Sequence, residues 1–155
     1  MSALPDRASV VVVGGGVMGA SIAFHLAEAG VDDVLLLERG DLAGGSTTKS
    51  AGGVRAQFTD AVNVALGARS LEAFERFGHR PGGEIDLHQV GYLFLHTTPA
   101  GLAAAEAAVE LQRALGVPTQ LLSASEAGER SPGVVVGDVI GATFHPRDGY
   151  CSPEA

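Results

Sequence analysis

An α/β fold built on a strand, glycine turn, helix and second strand is predicted for this 155-residue chain by three observations. Residues 9–13 form an unbroken run of mostly β-branched side chains ending in Gly14-Gly15-Gly16, the pattern of a strand buried on both faces of a parallel sheet. Residues 17–29 place Ile22, Phe24, Leu26 and Ala27 among the small Ala20 and Ala23, and Gly30 stops them as a helix C-cap. Residues 34–37 are a second short apolar run, closed by Glu38. Strand, turn, helix and strand within about thirty residues make a βαβ unit, whose crossover is right-handed in nearly all cases.

After Glu38 the pattern changes. Residues 39–53 are rich in Gly, Ser and Thr without apolar period, and loops of that length are functional or disordered. A partial helical stripe of Val62, Ala65, Leu66, Leu71, Phe74 and Phe77 predicts a helix over 59–77. Arg80-Pro81-Gly82-Gly83 breaks it. Residues 85–87 and 91–97 read as strands, and 102–115 as an Ala- and Glu-rich helix ended by Gly116. A short strand is expected at 119–122. Ser123 and Glu126 then make a capping box for a helix ending near Pro132, and 139–144 is the last strand. Ser152-Pro153-Glu154 has the composition of a further helix start with little behind it, so the chain is expected to be an incomplete fold. The expected organisation is an N-terminal part of a nucleotide-binding domain over 1–80, the start of an interrupting α+β segment over 81–140, and a return toward the first domain over 141–155.

A hydrophobic share of 46% and a charged share of 18% exclude disorder driven by charge. A net charge of -8 removes the basic footprint of a general nucleic-acid or anionic-membrane binder. The one cysteine, Cys151, allows no internal disulfide, no apolar run is long enough to span a membrane, and no signal peptide is evident, so a cytoplasmic location is expected. Twenty-two glycines and no tryptophan direct attention to turns and close backbone approaches.

Gly14-Gly15-Gly16-Val17-Met18-Gly19 fits G-x-G-x-x-G between a strand and a helix. Gly14 permits the tight turn, Gly16 opens space for a pyrophosphate, Gly19 lets the helix lie close, and the phosphates face the positive helix end. Glu38, nineteen residues beyond Gly19, stands where a carboxylate accepts from both ribose hydroxyls of an adenosine and repels a 2'-phosphate. These features suit a NAD enzyme and an FAD enzyme equally.

The run 11–19, then Leu37-Glu38-Arg39-Gly40, then 45–58 (Gly-Ser-Thr-Thr-Lys-Ser-Ala-Gly-Gly-Val-Arg-Ala-Gln-Phe) resembles the D-amino-acid oxidase-like FAD oxidoreductases, near the sarcosine oxidase β-subunit and dimethylglycine dehydrogenase members. Phe144-His145-Pro146-Arg147-Asp148-Gly149-Tyr150-Cys151-Ser152-Pro153-Glu154 is similar to the block opening that family's next nucleotide-domain helix. Complete members are more than twice as long. The resemblance therefore implies the N-terminal portion of an enzyme that binds FAD and oxidises the C–N bond of a secondary or tertiary amine or amino acid, the portion alone being inactive. It implies a Rossmann-like FAD-binding βαβ unit, the start of a mixed α+β substrate subdomain, a small-molecule substrate, and a partner subunit or electron acceptor.

On that resemblance Gly14, Gly16, Val17, Met18, Gly19, Glu38, Arg39, Ser46, Thr47, Ala51, Gly52 and Gly53 bind FAD: the hydroxyls of Ser46 and Thr47 donate to phosphate, and the small 51–53 segment admits main chain to the flavin edge. Lys49, the sole lysine, stands where some relatives carry a flavin-linking histidine, so that linkage is expected to be absent, and Lys49 is assigned to the flavin environment. Arg55 is assigned to the substrate carboxylate, which its planar guanidinium suits. The five histidines show no metal-ligand spacing and no metal is expected. His145 sits at a strand end without a catalytic assignment, Cys151 is read as a plain thiol, and no convincing base for an amine is found. Two alternatives stay open, a NAD-dependent dehydrogenase and a non-catalytic nucleotide-binding subunit of a larger oxidase.

Overall fold

The computed structural model describes residues 4–154, and the chain divides into two compact units, residues 1–51 with 153–155 and residues 52–152. In the first unit β1 (Val10–Val13) pairs in parallel with β2 (Val34–Leu37), in register Val10 to Val34 through Val13 to Leu37, with α1 (Val17–Glu28) as the crossover. Gly30, at φ +84°, closes the helix end as its missing side chain allows. One expectation fails here. Val12 is buried but Val11 and Val13 are exposed, so β1 is covered on one face only, because two strands and one helix supply a single covering layer.

The second unit opens with β3 (Gly53–Val54) and closes with β7 (Gly149–Tyr150), which pair antiparallel. Neither was expected, because two residues carry no periodicity. Between them, β4 (Tyr92–His96), β5 (Gln120–Leu122) and β6 (Gly141–His145) form an antiparallel sheet in the order β4-β6-β5, against which α3 (Pro99–Ala114) and α4 (Ala124–Arg130) pack. All five residues of β6 are buried, as a central strand requires. Helix α2 (Ala61–Glu75) is capped by the Asp60 carboxylate, which accepts from Asn63 N–H. Its residues Val64 and Leu71 join Val54, Ala56 and Val117 in the core, each large side chain contributing about 1.5–3 kcal/mol.

Helix α3 begins earlier than expected. Thr98 caps it and Pro99 occupies the first turn, where its missing N–H costs nothing. The Ser123–Glu126 capping box of α4 is present in both directions. Residues 85–87 are not a strand: Asp86 adopts φ +49°, which breaks extended backbone, and only His88 makes a bridge, to Tyr150. Pro153 and Glu154 form a turn, while Ala155 lies outside the described residues.

Candidate nucleotide and carboxylate sites

In the first unit the glycine turn is held by main chain. Gly14 takes φ +104°, a region open to glycine, and its N–H donates to Leu37 O at 2.8 Å. A Cβ on Gly19 would run into the Gly14 carbonyl oxygen, so the third glycine of the motif exists to bring the helix start onto the turn. Gly15, a free position of the motif, is constrained as well, for a Cβ there would lie 2.5 Å from Leu42 and 3.0 Å from Glu38. Sequence reasoning missed it because the constraint comes from side chains distant in the chain.

Thr47, from the long loop, accepts from Val17 N–H at 3.0 Å and so caps α1, whose own N-cap residue, Gly16, has no side chain to do so. Its hydroxyl proton stays available to an anion. Among the described residues the Gly16 and Met18 amides at this helix start make no hydrogen bond, and Met18 is largely exposed. Unpaired amides at a positive helix end are what a phosphate requires, so the residues fit a dinucleotide.

Glu38 stands at the end of β2. Its carboxylate accepts from Gly15 N–H at 2.7 Å and Gly40 N–H at 2.9 Å, one on each oxygen. These amides, Gly15 first, hold its pKa below the ordinary glutamate value. Each oxygen keeps a further lone pair for a ribose hydroxyl. Val13, Gly14, Leu37, Glu38 and Arg39 line a cleft of about 470 Å³. Ser46, Lys49 and Ala51 are exposed, and no side-chain bond to another described residue fixes them.

In the second unit, Gly52 at φ +65° and Gly53 have packing reasons of their own. Gly52 O accepts from Cys151 N–H at 2.9 Å, and a Cβ on Gly53 would lie 2.5 Å from the Tyr92 hydroxyl. Cys151 is half-buried, and burial pushes its thiol pKa up, consistent with an unreactive group.

Arg55 follows β3. Its guanidinium carbon lies 4.8 Å from the centre of the Phe58 ring and 5.5 Å from that of Phe94. Among the described residues it makes no ion pair. It lines a pocket of about 320 Å³ with Gln57, Phe58, Phe94, His96 and Gln112. The Gln112 amide donates to Phe58 O at 2.8 Å and the Gln57 amide to Tyr92 O at 3.0 Å, which fixes both amides. Gln57 Oε1, Gln112 Oε1 and His96 Nε2 are buried without a partner. Sequence reasoning singled out Arg55 but none of these three.

It also missed the group behind Arg55. Asp148, wholly buried, accepts from Ala56 N–H at 2.8 Å and from Gln57 Nε2 at 3.1 Å, and lies 2.7 Å from Nδ1 of the equally buried His145. Asp148-Gly149 reads in sequence as an ordinary turn pair, and nothing local signals a carboxylate turned inward.

The family model described as FAD dependent oxidoreductase matches residues 9–155. The chain belongs to that family. The family's cofactor is FAD, which sets aside the NAD alternative. Human mitochondrial dimethylglycine dehydrogenase is 32% identical over 151 residues, covering 96% of this chain and 17% of that protein. The mouse mitochondrial pyruvate dehydrogenase phosphatase regulatory subunit is 31% identical over 150 residues, covering 97% and 17%. The crystal structure of L-proline dehydrogenase from P. horikoshii superposes with a TM-score of 0.89 at 35% identity, covering 97% of this chain and 40% of that one. This chain of the flavoprotein family thus spans about a sixth of the curated relatives' length. No helix among its described residues is long and apolar enough to cross a membrane.

Proposed function

We propose that this chain supplies the nucleotide-binding turn and a substrate-anchoring arginine to an FAD-dependent enzyme that oxidises the C–N bond of a small amine or amino acid. The observation that carries the substrate half is Arg55, a guanidinium with no carboxylate partner among the described residues, lining a pocket with aromatic rings, side-chain amides and the small residues of α3. The similarity to dimethylglycine dehydrogenase and L-proline dehydrogenase, named for substrates that pair an amine with a carboxylate, supports the same reading.

FAD, when bound, supplies the hydride acceptor. The chain's own residues bind and orient. The Gly16 and Met18 amides and the Thr47 hydroxyl hold the pyrophosphate, Glu38 accepts from the ribose, and Arg39 stands beside it in the same cleft. In the first unit Ser46, Lys49 and Ala51 lie on the long loop that carries Thr47 and complete the assignment there. In the second unit Arg55 takes the substrate carboxylate by paired hydrogen bonds, its guanidinium set against the Phe58 and Phe94 rings.

A second reading, a non-catalytic nucleotide-binding module, rests on the similarity to a phosphatase regulatory subunit. The deciding experiment is the visible absorbance spectrum of the purified intact protein, followed by FAD titration and by anaerobic mixing with N-methylated amino acids. Flavin bands that bleach on mixing support the enzyme, and flavin that no amine bleaches supports the module. Gly16→Val, whose side chain would press on Thr47 Oγ1, 3.0 Å from the position of a Cβ, is expected to abolish FAD binding. Unchanged FAD affinity in that variant defeats the nucleotide assignment.

A further inference from the structure

We propose that Asp148 is the positioning residue of Arg55, an inference that rests on the carboxylate-binding role of Arg55 given above. A carboxylate with no exposed surface is costly to bury and is retained where donors satisfy it. Here there are three. Oδ1 accepts from Ala56 N–H and, since an ionised carboxylate only accepts, from His145 Nδ1–H; Oδ2 accepts from the Gln57 amide.

Two of these donors lie immediately after Arg55. The Ala56 N–H belongs to the peptide group that joins Arg55 to Ala56, so its bond to Asp148 fixes the backbone torsion that aims the arginine. The carbonyl side of that same peptide is confined by α2, where a Cβ on Gly67 would lie 3.0 Å from Arg55 O and 3.1 Å from Ala56 Cα. Gln57 is tied once more, through its amide to Tyr92 O. The Arg55 side chain is then left to the Phe58 and Phe94 rings, and among the described residues no ion pair competes for it. His145, buried and itself held on Asp148, sets the direction of the carboxylate.

The pair is more than the β6–β7 turn needs. That turn already closes through Asp148 N–H to His145 O at 3.3 Å and requires no side chain. The carboxylate instead reaches across 92 residues of sequence to Ala56. A group that only stabilised the turn would bond to His145 alone; this one bonds as well to the segment that presents the arginine.

Titration calorimetry of the intact, FAD-loaded protein with propionate and with propionamide reads the preference for a carboxylate over its neutral isostere. Asp148→Asn is expected to weaken propionate binding about tenfold, the scale of a sub-ångström misplacement, while propionamide and FAD affinities stay as they were. Arg55→Lys alone is expected to remove the preference. A preference that survives Arg55→Lys overturns the Arg55 reading itself. A preference lost in Arg55→Lys but kept in folded Asp148→Asn overturns the positioning role and leaves the Arg55 reading intact. In the Arg55→Lys background, Asp148→Asn is expected to cause no further loss for propionate, and an additive loss overturns the assignment. If Asp148→Asn does not fold, His145→Leu, at a residue outside the Arg55 pocket, removes one of the three bonds and is judged by the same outcomes.

Discussion

The two units build their sites from opposite materials. In the first, the glycine turn is a backbone object: Gly14, Gly15 and Gly40 amides bond to main chain or to an exposed carboxylate, and the helix start is capped by one threonine hydroxyl. In the second, the arginine segment is gripped by buried side chains, Asp148, His145 and Gln57, none of them near it in sequence save Gln57. Function placed in backbone geometry demands glycine at fixed spacing. Function placed by a buried carboxylate demands only that some later turn deliver an aspartate to the right spot.

The contrast is broken most directly at Asp148. Asp148→Ala takes the carboxylate partner from the buried Ala56 N–H, from His145 Nδ1 and from the Gln57 amide, which keeps only its bond to Tyr92 O, and it is expected to cost about 1–3 kcal/mol in urea unfolding for each donor left unsatisfied. A loss below 1 kcal/mol, as at an ordinary surface site, would mean that the second unit is not held by this carboxylate.

Gly19→Ala tests the backbone side. The added methyl meets the Gly14 carbonyl, which cannot turn aside, so a destabilisation of about 1–3 kcal/mol is expected together with loss of ADP binding by calorimetry. Gly45→Ala, in the loop after β2 of the same unit, is the control, since a Cβ there meets nothing within 4 Å. Equal behaviour of the two alanine variants would show that the turn tolerates movement and that the site is not set by backbone contact.

This contrast explains what was legible in the sequence. The βαβ unit, the glycine turn, Glu38, the long helices and the Ser123 capping box could be read because each is specified within a few residues by period, cap or spacing. The unread features are nonlocal. The β3–β7 pair joins residues 53–54 to 149–150 through four main-chain positions and no pattern. The interruption of 85–87 depends on Asp86 at positive φ, which asparagine and aspartate tolerate but do not announce. Arg55 was found through family resemblance, yet its pocket partners His96 and Gln112 come from β4 and α3, whose apolar periods mark them as ordinary members of those elements.

The smallest effect expected is the acid response of Glu38, and it separates the two materials in another way. The Gly15 and Gly40 amides favour the ionised carboxylate, so the folded-state pKa lies below the ordinary value of 4.5. A group depressed on folding adds stability that is present above its unfolded pKa and is lost as pH falls through the folded one. Glu38→Gln is therefore expected to be less stable than the parent at neutral pH, with the difference shrinking below pH 4.5. Because the side chain is exposed, solvent screening keeps this difference modest. Urea midpoints of parent and variant across that range provide the check. A gap that stays constant into acid would show that the amides grip Glu38 by shape alone, and the turn would then owe nothing to the carboxylate's charge.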